Sequence, residues 1–207
     1  FVSASLESAA GHSRTYTHMR ALFAATTAGF AAALVLRSWL RRTLLLRRIP
    51  ESVELEGCGV VAVSTQSCGS NTLVTLDWSK VFGTLPFKIP FCSAVLTEDG
   101  TIYVSGSIGL APPSSGGPPS IVPGGPKPEM LRTMQIVEAC LKACGADVQD
   151  ITMAHCYLVD NTKERFGEMN AAYLEFFGTR PLPARITVGC SALALGSCVE
   201  VDVIAKA

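Results

Sequence analysis

Apolar and polar positions recur with a helical period in the second half of the chain. Apolar residues return at intervals of four and three from Met130 to Cys144, which predicts an amphipathic helix. A second helix is predicted to begin with the capping pair Asn161 and Glu164 and to end at Gly178. One face of this second helix carries aromatic side chains interrupted by Asn170.

Short β-rich segments flank these two predicted helices. The first two segments lie on either side of Glu98-Asp99-Gly100, a hairpin signal because Asp-Gly tolerates positive φ at a turn. The predicted strands lie at 93–96, 101–105, 151–159, 184–190 and 198–205. The resulting order ββ, α, β, α, ββ predicts an α+β domain, with strands paired mainly antiparallel and both helices on one face of the sheet.

The N-terminal part of the chain has a different pattern, and it sets the predicted domain boundaries. Residues 21–36 carry no charge and would span roughly 24 Å as a helix, against roughly 30 Å of bilayer hydrocarbon. We therefore predict a membrane-anchor segment at 1–50 with a single transmembrane helix at about 19–40. Residues 51–84 then form a linker or a sheet extension, and residues 85–207 form the α+β domain.

The arginines around residues 21–36 predict an orientation for such a helix. More arginines follow the uncharged stretch than precede it, which places the C-terminal side inward. In a mitochondrion this would put the folded domain in the matrix, anchored at the inner membrane. Two other interpretations stay open, an organellar transit peptide and a buried hairpin helix.

Composition and charge limit the classes of partner and cofactor. The formal net charge is zero, so no global field favours nucleic acid. Hydrophobic residues make up 48% of the chain and charged residues 16%, with a mean hydropathy of +0.35, which favours a membrane contact or a large buried interface. The eight cysteines form no CxxC pair. We expect buried thiols and predict no metal site and no cofactor.

The last two predicted strands carry the candidate chemistry. By strand alternation Arg185 and Thr187 share one face, and Glu200 and Asp202 share a face of the final strand. We expect one polar face of this strand pair, with an arginine and two carboxylates. The alternative is a solvated cross-strand ion pair of little consequence, with Asn170 a satisfied buried amide.

Four segments in order resemble the RidA (YjgF) family across some 120 residues of the chain. They are 102–108 (IYVSGSI), 166–177 (FGEMNAAYLEFF), 183–185 (PAR) and 199–202 (VEVD). The resemblance implies a trimer of chorismate-mutase-like subunits around a barrel-like core, with clefts between subunits. It also implies hydrolysis of 2-imino acids and enamines to 2-keto acids and ammonia, without a cofactor.

The same resemblance implies roles for individual residues. Arg185 would hold the substrate carboxylate in a bidentate fork, and Asp202 would stand where the family has a water-activating glutamate. Ser105, Gly106 and Asn170 would line the cleft.

Besides Asp202, two further positions depart from the family pattern in that cleft. Phe91 stands where the family has a tyrosine, and Thr187 stands where many members have a cysteine. Because a base must hold its water within about 3 Å, such changes predict altered handling of water.

Three functions follow from these observations and stay open on the sequence alone. The first is an accessory subunit of an organellar membrane complex, built on a homo- or heteromeric trimer with an altered cleft. The second is an active 2-iminobutanoate/2-iminopropanoate deaminase. The third is a sensor that binds 2-keto or 2-amino acids through Arg185.

Overall fold

The computed structural model describes residues 31–83, 88–113 and 118–207. The chain divides into two compact units, Phe1–Thr43 and Leu44–Ala207. Residues 31–46 are helical (α1). Of the transmembrane helix predicted at about 19–40, only residues 31–40 lie inside the described part. Among the residues described, no helix has the length and apolar character needed to cross a bilayer.

The larger unit contains a mixed sheet of eight strands. The strands are β1 (Ser52–Leu55), β2 (Gly59–Cys68), β3 (Asn71–Leu76), β4 (Ala94–Leu96), β5 (Thr101–Ile108), β6 (Ile151–Val159), β7 (Ala184–Cys190) and β8 (Val199–Lys206). Their order across the sheet is β1-β2-β3-β4-β5-β8-β6-β7. Only the β6–β7 pair is parallel among the pairings of these strands. The segment predicted as a linker or sheet extension thus contributes three strands to the sheet.

Three further helices complete this unit: α2 (Trp78–Phe82), α3 (Pro126–Ala143) and α4 (Lys163–Phe177). The longer helices α3 and α4 pack on each other, and α3 also packs on β5 and β8. The α+β architecture and the order ββ, α, β, α, ββ from β4 onward are confirmed. The predicted capping box is wrong by one residue, because the N-cap is Thr162, whose side chain accepts a hydrogen bond from the N–H of Arg165.

The sheet has one face covered by helices and one open face, and the β8 side chains show the division. Val199, Val201 and Val203 are buried on the helix-covered face, while Glu200 and Asp202 between them point to the open face and are half-buried. Alternation of side chains along a strand produces this pattern. The open face is where the sheet presents its polar groups.

The register between strands shows which side chains of the neighbouring strands lie on the open face. His155 and Tyr157 of β6 pair with Asp202 and Glu200, so they share the open face. In the parallel pair, Ile186 lies beside His155 and Val188 beside Tyr157. The open face therefore also carries two large apolar side chains, Ile186 at 46% and Val188 at 42% exposure.

Candidate functional site

A carboxylate lies against an irregular stretch of β5. The pairing of β5 with β8 shifts register between Val104 and Ser107, so Ser105 and Gly106 form a bulge, a feature common beside functional sites. A methyl group on Gly106 would overlap the carboxylate of Glu200, so a larger residue here would displace this carboxylate from its position against the strand. Burial raises the pKa of Glu200, and the neighbouring charge of Asp202 raises it further.

This carboxylate borders a cavity of about 490 Å³, here termed the aromatic pocket. Its lining is mainly apolar, and three aromatic side chains form one wall. The indole of Trp78 meets the Phe82 ring edge-on with centroids 5.2 Å apart, and it meets the Phe91 ring at 5.9 Å. The polar side chains of Ser105, Ser107 and Glu200 also line the pocket. An apolar cavity with a few convergent polar groups is typical of a small-molecule site.

Asp202 lies in a second, more open groove of about 660 Å³, which shares Ser105, Gly106 and Glu200 with the aromatic pocket. The Nδ1 atom of His155 is 2.6 Å from Oδ1 of Asp202. Glu200 has no such side-chain partner in the part of the chain that the structure describes. The two carboxylates of β8 therefore differ in environment, and Glu200 is the one free to act on a ligand.

Arg185 of β7 lies on the helix-covered face, against α4. Its guanidinium donates a hydrogen bond to Oδ1 of Asn170 over 2.8 Å and lies over the Tyr173 ring, with Cζ 4.6 Å from the ring centroid. Asn170 is its only hydrogen-bond acceptor among residues 31–83, 88–113 and 118–207. The remaining N–H groups of the guanidinium fork can therefore bind a ligand carboxylate.

Two hydroxyl groups near Arg185 are buried. Thr187 Oγ1 and the Tyr173 hydroxyl make no hydrogen bond to any described residue. Burial raises the pKa of Tyr173 to about 12. Burial also raises the pKa of Cys156, whose side chain lies on the helix-covered face of β6, to about 11. Both groups therefore stay protonated near neutral pH, and Cys156 is not an activated nucleophile.

The expectation that Arg185 shares a face with the two carboxylates is wrong. Arg185 pairs in register with Ala154, which pairs with Val203 on the helix-covered face, whereas Glu200 and Asp202 lie on the open face. Arg185 and the row of Glu200 are also separated by roughly 10 Å along the strands and roughly 10 Å across them. A small ligand cannot contact both groups within one chain.

The structure thus places the predicted site residues in three locations. Phe91, Ser105 and Gly106 lie together at the aromatic pocket, and Arg185 lies with Asn170, while Thr187 follows Arg185 on the same side of β7. Asp202 lies in the open groove beside His155. Sequence reasoning missed Glu200 as the carboxylate of the pocket, as well as the pocket wall formed by Trp78 and Phe82. The one sequence signal for this site was Gly106 next to Ser105 in a strand, because a glycine inside a strand often marks the close approach of another group.

Comparison with known proteins places the C-terminal part of the chain within one family. The profile of the family described as "Endoribonuclease L-PSP" matches residues 86–207. Over 116 residues the chain is 38% identical to the 2-iminobutanoate/2-iminopropanoate deaminase of Mus musculus, which covers 56% of this chain and 80% of that protein. The Rattus norvegicus protein of the same name is 37% identical over 120 residues, 58% of this chain and 82% of that protein.

Solved structures agree with this assignment of the fold. The Rid family protein YyfA from Yersinia pestis superposes with a TM-score of 0.51 at 27% identity, over 59% of this chain and 92% of that chain. Yeast Mmf1 superposes with a TM-score of 0.50 at 26% identity, over 58% of this chain and 90% of that chain. In both cases the similarity covers most of the known protein and leaves about two fifths of this chain outside it.

Proposed function

Since the chain belongs to the RidA/YjgF family, we propose that it hydrolyses 2-imino acids to 2-keto acids and ammonia. The observation that carries the proposal is the desolvated carboxylate of Glu200, held against Gly106 in an apolar pocket. A carboxylate of raised pKa beside bound substrate can orient a water molecule and transfer its protons. The similarity to the two deaminases supports the same chemistry.

The proposed reaction needs only water and the side chains of the protein. Water adds to the carbon of the C=N bond, and Glu200 takes a proton from it. Glu200 passes this proton to the nitrogen, which gives a neutral carbinolamine. The hydroxyl proton of the carbinolamine then moves through Glu200 to the nitrogen as the carbon–nitrogen bond breaks, so the oxygen stays on the carbon as the keto group and the nitrogen leaves as ammonia. Arg185 holds the substrate carboxylate through its fork, which fixes the imine carbon for attack.

A complete site needs two copies of the chain. Arg185 and Glu200 lie on opposite faces of one sheet, so we propose that Arg185 of one subunit closes the aromatic pocket of its neighbour. Trimers are general in this family, and the exposed Ile186 and Val188 on the open face give such an assembly an apolar surface to bury.

The descriptive name of the family refers to a ribonuclease, and the described pocket does not favour that activity. No lysine or arginine is among the residues that line the aromatic pocket, while Glu200 adds a negative charge there. Phosphate backbones are bound mainly by basic side chains. The pocket fits a small ligand with an apolar body better than it fits a polyanion.

The test is hydrolysis of freshly generated 2-iminobutyrate by the full chain, with release of ammonia and of 2-ketobutyrate both measured. We expect turnover above the spontaneous rate, lost in Arg185→Ala and kept in Lys163→Ala, which removes an exposed cation at the start of α4. A folded protein that leaves the spontaneous rate unchanged would refute the proposal for this substrate.

Membrane tethering with an accessory role is a second proposal, and it rests on the uncharged residues 21–36 and the arginines that follow them. It would anchor the domain at the mitochondrial inner membrane, on the matrix side, among other subunits of a complex. Resistance of the full chain to alkaline carbonate extraction from membranes, and recovery of other subunits after mild detergent treatment, would support it. Release of the full chain into the carbonate supernatant would rule the anchor out.

A further inference from the structure

Helix α2 brings two aromatic side chains to the aromatic pocket from outside the family domain. Trp78 and Phe82 are one helical turn apart, so they lie on the same face of α2, and both line the cavity. The family profile begins at residue 86. This part of the wall therefore lies outside the stretch that the family profile matches.

The wall is held in place by contacts along its length. Trp78 packs edge-on against both Phe82 and Phe91, and Asp77 caps the helix by accepting a hydrogen bond from the N–H of Ser79. Edge-to-face pairs of this kind add stability beyond simple burial. The aromatic side chains thus form a preformed surface at the pocket.

The size of the pocket exceeds what the smallest substrates require. Its volume of about 490 Å³ falls in the range of roughly 300–1,000 Å³ that accommodates drug-sized ligands. An imino acid with a methyl or ethyl side chain would leave much of that space, and the apolar wall, uncovered. A large apolar side chain would cover it and remove apolar surface from water.

The positions of the polar and apolar groups that line the aromatic pocket indicate how a substrate would lie in it. Ser105, Gly106 and Glu200 are the groups that would face the reacting carbon and its water. The side chain of the substrate then extends toward Trp78 and Phe82. We infer that these two residues form a specificity subsite for 2-imino acids with aromatic or large branched side chains, an inference that rests on the proposed imine hydrolysis.

The experiment compares imines generated in situ from L-phenylalanine and L-alanine by an L-amino-acid oxidase, with semicarbazide as the competing trap. For the full chain we expect kcat/KM to be about tenfold or more higher with the phenylalanine-derived imine. In Trp78→Ala and Phe82→Ala we expect that ratio to fall about tenfold, because the phenylalanine-derived imine loses more kcat/KM than the alanine-derived imine does. Phe166→Ala, which removes an aromatic ring of α4 outside the pocket, is the matched control and should leave the ratio unchanged.

Binding of phenylpyruvate and pyruvate, measured by calorimetry on the same proteins, separates the subsite from the chemistry. The protein could bind phenylpyruvate more tightly than pyruvate, lose this preference in Trp78→Ala, and yet hydrolyse no imine. This result would uphold the subsite and refute the hydrolysis. If the protein hydrolyses both imines and binds both keto acids with no preference for either ligand, the subsite is refuted and the hydrolysis is upheld. That result is expected if a neighbouring subunit fills the pocket. Failure of both ligands to bind and of both imines to be hydrolysed would overturn both.

The substitutions to alanine remove part of a packed cluster, so conservative variants are needed as well. Trp78→Leu and Phe82→Leu keep an apolar side chain of substantial volume. If the alanine variants do not fold, these variants should still lower the preference for the phenylalanine-derived imine, by about threefold or more, while circular dichroism shows an unchanged fold. An unchanged preference in the folded leucine variants would overturn the inference.

Discussion

The two carboxylates of β8 lie two residues apart and are placed in different environments. Asp202 is 2.6 Å from the imidazole of His155 in the open groove. Glu200 lies against Gly106 at the edge of an apolar pocket, where burial raises its pKa. Neighbouring acids with different surroundings commonly take different roles in catalysis. In the proposed mechanism Glu200 takes a proton from the reacting water, and the charge of Asp202 helps to raise the pKa of Glu200.

The first prediction separates these roles by substituting each acid with its amide. Glu200→Gln removes the proton acceptor and should lower kcat about 10²- to 10⁴-fold. Asp202→Asn leaves Glu200 in place and should lower kcat less than about tenfold. Steady-state kinetics on 2-iminobutyrate checks both, with melting temperatures to confirm folding. A larger loss in Asp202→Asn than in Glu200→Gln would exchange the two roles.

The second prediction concerns the pH dependence of activity. Glu200 must be ionised to accept a proton, so activity falls as pH drops through its pKa. Since that pKa is raised, the acid limb of kcat/KM should lie above the value of about 4.3 typical of glutamate. Asp202→Asn removes a negative charge that contributes to the shift, so the limb should move to lower pH. A limb that stays in place or moves upward would argue against Glu200 as the titrating base.

At the scale of elements, a buried glutamate joins helix α3 to the start of β8. Glu129 is 5% exposed, and its Oε2 accepts hydrogen bonds from Ser197 Oγ at 2.9 Å and from the N–H of Cys198 at 2.7 Å. These contacts fix the chain immediately before the strand that carries Glu200. The position of Glu200, the proposed catalytic carboxylate, therefore depends on a residue that does not line the pocket.

The third prediction concerns the hydrogen bonds that Glu129 accepts from Ser197 and Cys198. Glu129→Ala leaves the buried N–H of Cys198 without its acceptor, while the Ser197 hydroxyl keeps only the carbonyl of Val199. This should lower the free energy of unfolding by about 1–3 kcal/mol. Glu138→Ala, on the same helix but paired only with Lys142 at the surface, should cost less than about 1 kcal/mol. Denaturant titrations of both variants measure the difference, and equal losses would contradict the buried role.

At the scale of the whole molecule, the open face of the sheet is the surface proposed for assembly. Ile186, Val188 and Tyr103 expose 46%, 42% and 49% of their surface there, beside the groove that holds Glu200 and Asp202. Apolar side chains clustered around a polar groove are typical of an interface. Assembly through this face would also supply the arginine that each pocket lacks.

The fourth prediction tests assembly and activity together. Val188→Glu places a charge in the proposed interface and should convert the proposed trimer to a monomer, with imine hydrolysis lost and secondary structure kept. Leu174→Glu introduces the same charge at an exposed position of α4 and should leave both the trimer and the activity in place. Light scattering after size-exclusion chromatography gives the mass. An active monomer would show that the site is complete within one chain.

Local patterns in the sequence were sufficient for the elements and the family. The period of α3, the Asp99-Gly100 turn and the motifs at 102–108 and 199–202 each depend on residues close in the chain, because backbone periodicity and turn conformation are local properties. These features predicted the order of elements from β4 onward, and the RidA/YjgF family assignment is confirmed.

The arrangement of the site was decided by tertiary structure. Alternation within β7 shows which of its residues share a face, but only the pairing with β6 determines that Arg185 faces the helices while Glu200 faces away. Glu200 and Asp202 have the same local pattern, and the bulge at Gly106 together with His155 distinguishes them. Strand register and pairing are set by contacts between residues distant in sequence, which no single segment encodes.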